Sequence, residues 1–116
     1  MNDRKLPKGT TDEQLKALIA KHVTVHPITV TKDGQSYTAL LKKPTIAVMA
    51  AATVASQATP GAIDVYKMGQ VIYRSCMLVA DPEIDLDEEL LAGAMLKASQ
   101  LFKAAQAELG EPYVAG

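Results

Sequence analysis

The sequence predicts an α+β fold: a β-hairpin packed on a small bundle of three to four helices. Three observations predict it. An Asp33-Gly34 pair stands between two runs of alternating apolar residues, the strongest short-range signal for a hairpin. On either side of those runs, apolar residues recur at steps of three and four, the period of an amphipathic helix. The length of 116 residues suits one domain with its own core, and a lone cysteine excludes an internal disulfide framework.

Residues 1–9, with Arg4, Lys5 and Lys8 around Pro7, read as a flexible arm ahead of a globular domain over 10–110, with a loose tail over 111–116. "TTDEQLKALIAKH" reads as the first helix. Thr11 is placed to cap it, with Gln14 at the capping-box position, Asp12 and Glu13 in the first turn, and Leu15, Leu18 and Ile19 on one face. From Val23 the period falls to two. Val23, Val25, Ile28 and Val30 favour one strand; Tyr37, Ala39 and Leu41 alternate on the next. Pro27 cannot donate to a ladder, so the first strand lies at an edge or starts after Pro27.

Pro44 ends the second strand, and Thr45 caps a helix running to about Gln57. Thr59-Pro60 signals another helix, reaching about Val79, with Val65, Met68, Ile72, Cys76 and Val79 on its apolar face. "ADPEIDLD" is a loop. Asp87 or Asp85 caps a last helix, whose stripe runs from Leu90 and Leu91 through Ala94, Ala98 and Phe102 to Leu109, before Gly110.

The segment 45–57 is unusual in lacking a polar face. Its eleven residues between Pro44 and Ser56 are too few for a membrane span, which needs about 20. A helix apolar all round is either buried in the monomer or covered by a partner, and both readings stand for Ile46, Val48 and Met49. The formal net charge of −1 offers no basic surface for nucleic acid. With no tryptophan and one phenylalanine, the core must be built from Ala, Leu, Val, Ile and Met. The N-terminus carries no apolar signal segment, and together with the lone cysteine this points to the cytoplasm.

Side chains capable of chemistry are sparse. His22 and His26 are four apart but lack the intervening glutamate and further ligands of a zinc helix. Cys76, among apolar helix neighbours and toward a helix C-terminus, reads as a buried packing residue. Six carboxylates lie between Asp81 and Glu89. Asp85, Asp87 and Glu89 have the first spacings of a calcium loop, but Leu90 occupies the position that needs glycine, so the run reads as an acidic helix start. There is no glycine-rich phosphate loop and no nucleophile elbow. The expectation is a protein that is not an enzyme and needs no cofactor or metal.

One ordered pattern is more specific. A hairpin ends in "YTALLKKPT", a helix follows, and "TPGAIDVYKMGQVIYRSCMLVADPEI" leads into a leucine-rich helix. Over residues 23–110 this resembles small tail-assembly-chaperone-like proteins of tailed phages and prophages of Bacteroidetes. The matching positions are Tyr37, Leu41, Lys42, Lys43, Pro44, Cys76, Asp81, Glu83 and Ile84; Met77 and Val79-Ala80 depart from the family's aromatic and glycines. The resemblance implies an assembly role: coating a long helical client of the tape-measure kind in the host cytoplasm, with self-association along it. The other reading is a small regulatory or ligand-binding α+β module.

Overall fold

A computed structural model describes residues 6–57, 64–102 and 110–115. Helix α1 (Asp12–His22) opens with the expected capping box: Thr11 Oγ1 accepts from Gln14 N–H, and Gln14 Oε1 accepts from Thr11 N–H at 2.9 Å. It ends at Val23, which takes φ 68° and ψ −51° while Thr24 N–H donates to His22 C=O at 2.7 Å. That is a γ-turn in its strained form, held by a β-branched residue that disfavours positive φ. Val23 is exposed, so nothing packs against its side chain in compensation. Val23→Gly should therefore stabilise the fold by about 1 kcal/mol, the relief of strain exceeding the added chain entropy. Thermal melts of the two proteins check this; an equal or lower midpoint for the glycine variant would refute it.

Strands β1 (Val25–Lys32) and β2 (Gln35–Lys42) form the predicted hairpin. Asp33 and Gly34 both have positive φ, 52° and 78°, as the tight turn matching strand twist requires. Pro27 lies inside β1, which is an edge strand, opposite Leu40. Counting from the hydrogen-bonded pair that flanks a two-residue turn, Pro27 occupies a position whose N–H would point away from β2. The missing donor thus costs the ladder nothing and blunts the open edge.

Helix α2 (Ile46–Ser56) is capped by Thr45, and helix α3 (Val65–Cys76) by Asp64, whose carboxylate accepts from Tyr66 and Lys67 N–H. The expected start at Thr59-Pro60 lies outside the described residues. The expected end near Val79 is corrected: the helix stops at Cys76, and Met77–Ala80 form a third strand, β3, antiparallel to β2. Leu40 pairs with Val79 and Ala39 with Ala80, with a bulge between Leu40 and Leu41. The free edge of β2 outcompetes one more helical turn, because the strand satisfies two sets of backbone groups at once.

A short helix α4 (Glu83–Leu86) occupies the middle of the expected loop. Helix α5 (Glu88–Ala98) is capped by Asp87, one of the two expected candidates. Its extent is shorter than the apolar stripe suggests. A 3-10 turn at Ser99–Leu101 follows, and Phe102 is extended; residues 103–109 lie outside the described residues. Ser99 Oγ donates to Leu96 C=O at 2.6 Å, a local bond of the kind that competes with helix continuation.

Helices α3 and α5 cover one face of the sheet, while Pro27, Thr29 and Thr31 of β1 are exposed on the other. Ile28, Val30, Ala39 and Leu41 meet Ile72, Tyr73 and Cys76 of α3 and Leu90, Ala94 and Ala98 of α5. The opposite face carries Leu40 and Pro27, which line a cleft with Leu15 and Ile19 of α1. Helix α2 lies outside this frame, against α3. The α3–α5 contact is close enough to need Gly69, which runs against the backbone of Met95.

Candidate interaction surface

The packing of α2 answers the question its sequence poses. Ala52 and Ser56 are buried, and Val48 joins the core cluster through α3. Ile46 and Val54 stand 82% and 72% exposed on the other side. Between them Ala47, Ala50 and Ala51 are exposed. Among the described residues, nothing covers the outer face of α2.

Its few polar atoms are spent on its own backbone. Thr53 Oγ1 donates to Met49 C=O at 2.9 Å, and Ser56 Oγ donates to Thr53 C=O at 2.7 Å. Thr45 Oγ1 accepts from Val48 N–H at 3.2 Å. No acidic residue stands in the first turn of α2 and no basic residue in its last. The outer face is therefore an apolar strip some two turns long, with a branched side chain at each end and alanines between. Such a strip lets another helix approach closely along the alanines while Ile46 and Val54 supply contact area.

Beside the start of α2 lies a cavity of about 270 Å³. Pro44, Met49 and Leu101 give it an apolar floor, and His26 and Lys43 line it as well. Pro44 is buried and Lys43 exposed; Lys42, at the end of β2, is half-buried. A second, open cleft of about 390 Å³ runs between α1 and β3, lined by Ala17, Leu18, Leu78 and Val79 with Lys8 and Gln14 at its polar side.

The remaining residues of the predicted motif are scattered from this surface. Cys76 and Ile84 are fully buried in the core. Burial pushes the Cys76 thiol up, with Lys42 acting weakly in the other direction, so the thiol is held as a packing group. Asp81 is 2% exposed and is structural in a way the reading of an acidic helix start does not anticipate. Its carboxylate accepts from Thr38 N–H at 2.8 Å and Lys8 N–H at 2.7 Å, while its own N–H donates to Thr38 C=O at 2.9 Å. The side chain thus extends the β2–β3 ladder past the end of β3. Within the stretch expected to form an arm, it anchors Lys8; Pro7 is fully buried.

The other acids are also held within the chain. Glu83 pairs with the Lys8 ammonium, and that hydrogen bond lowers the Glu83 carboxyl below its ordinary value. Arg74 binds Asp85 at 2.9 Å, and Lys32 binds Asp87 at 2.7 Å. The Lys32 bond lowers the Asp87 carboxyl, helped by the Leu90 and Glu89 N–H groups that it caps. Among the described residues no group of three or more His, Cys, Asp or Glu side chains is placed to hold a metal ion, and no helix is long and apolar enough to cross a membrane.

No protein-family model, curated protein or solved structure matches the chain.

Proposed function

We propose that the protein is a non-enzymatic assembly chaperone or adaptor that holds a long helical client against the outer face of α2, in the manner of the phage and prophage tail-assembly proteins its motif resembles. The carrying observation is the apolar strip from Ile46 to Val54, whose two branched side chains are exposed on one continuous helix face. An exposed, continuous apolar helix face costs solubility unless something covers it, and helix-on-helix docking is the mode that suits its shape.

Burying each of the two branched side chains contributes about 1.5–3 kcal/mol, and each 1.4 kcal/mol is tenfold in affinity. The double variant Ile46→Asp with Val54→Asp should therefore weaken client binding about a hundredfold or more while leaving the melting temperature close to wild type. The client to use is the longest helix-rich protein encoded beside this gene, co-expressed and recovered from the soluble fraction. A client equally soluble with wild type, variant or neither would overturn the reading.

The cleft between α1 and β3 supports a second reading, a regulatory module taking a small apolar ligand beside Leu18 and Val79. Ala17→Phe, which crowds that cleft, separates the two: it would block a small ligand and leave client binding at α2 intact.

A further inference from the structure

The segment around Tyr113 carries a second, independent observation. Tyr113 and Val114 are 104% and 83% exposed, an aromatic and a branched side chain standing free in water. Pro112 fixes its own φ and biases Glu111 toward extended backbone. Glu111 and Tyr113 thus bring a carboxylate and a ring within one short segment.

The cavity at the start of α2 has the matching chemistry. Its floor of Pro44, Met49 and Leu101 is apolar, and His26 and Lys43 stand beside it. At about 270 Å³ it suits one ring better than a drug-sized ligand, whose sites run from roughly 300 to 1,000 Å³. Neither Lys43 nor Glu111 makes an ion pair among the described residues. Among the described residues, Lys43 and Glu111 are thus without an ion-pair partner, with opposite charge, and segment and cavity share an apolar character.

We propose that the Glu111–Val114 segment of one copy docks into this cavity of a second copy, placing the Tyr113 ring on the Pro44–Met49–Leu101 floor and the Glu111 carboxylate against Lys43. The contact joins the chain to itself. It lies beside the outer face of α2 and does not depend on what that face binds.

Sedimentation velocity of the full chain, from micromolar to millimolar concentration, tests it. The mass should rise from the 12.4 kDa monomer with concentration. Tyr113→Ser should weaken association about a hundredfold through the lost ring burial. Lys43→Glu and Glu111→Lys should each weaken it about threefold to tenfold, and the two together should restore it. Both charged positions are exposed, so unchanged thermal melts are expected and confirm folding. A monomer at every concentration, its segment free or folded back on its own cavity, overturns the proposal. So does association indifferent to Tyr113→Ser, or a charge-swapped pair that shows no rescue.

Discussion

Gly69→Ala should destabilise the protein by more than about 3 kcal/mol, seen as a large drop in the urea midpoint. A Cβ at this position would stand 1.7 Å from the Met95 carbonyl oxygen and 2.6 Å from its carbonyl carbon. Both are backbone atoms of α5, so no rotamer change removes the clash. The two helices would have to part, and they form the layer that covers the sheet through Ile72, Cys76, Ala94 and Ala98. The usual advantage of alanine over glycine in a helix, about 1 kcal/mol, is far too small to offset that. Gly93→Ala is the control. Its Cβ would approach Val30 Cγ1 at 3.1 Å, a side-chain atom that can yield, so its midpoint should stay within about 1 kcal/mol of wild type. Equal midpoints for wild type and Gly69→Ala would show that α3 and α5 are not packed this closely.

Asp81→Ala should cost about 2–4 kcal/mol. The carboxylate accepts from Thr38 N–H and Lys8 N–H in a buried site, and alanine leaves Thr38 N–H without its acceptor. Asp81→Asn keeps one acceptor oxygen but turns an amide donor toward the second N–H, and should fall between the two. Amide hydrogen exchange gives the specific readout: Thr38 N–H should lose protection in the alanine variant by more than the amides of α5 do. Wild-type stability together with wild-type protection at Thr38 would remove Asp81 from the ladder.

These two residues differ in how far the sequence exposes their roles. Asp81 stands out as one of six acids in nine positions, and its composition suggests a helix start. Asp87 does play that part, with its carboxylate accepting from Glu89 and Leu90 N–H. Nothing local separates Asp81 from Asp87, because its partners are 43 and 73 residues away. Gly69 gives still less signal, since a glycine in a helical pattern is marked only by a backbone that passes it from another helix.

The third strand was hidden for a related reason. Val79 fits the three-and-four spacing of the helix before it, and Met77–Ala80 is too short to show a period of its own. A signal was available in the hairpin: β2 could not leave its second edge unpaired in a sheet of two strands, which is marginal in water. The capping residues show the opposite case. Thr11 and Thr45 act through N–H groups within three residues of themselves, so sequence spacing suffices to place them, while for α5 it narrows the cap to Asp85 or Asp87.

By itself, then, the sequence determined the features whose causes are local: the Asp33-Gly34 turn, the helix caps at Thr11 and Thr45, and the α+β class that follows from where the period changes. Tertiary structure alone decided which face of α2 is covered. The strip Ile46–Ala50–Val54 and the buried side at Ala52 and Ser56 are both apolar or small, so periodicity cannot rank them. The choice falls to α3, which has one strongly apolar face to bury and takes the side of α2 that fits it. What is left outside is the surface on which the proposed client would lie.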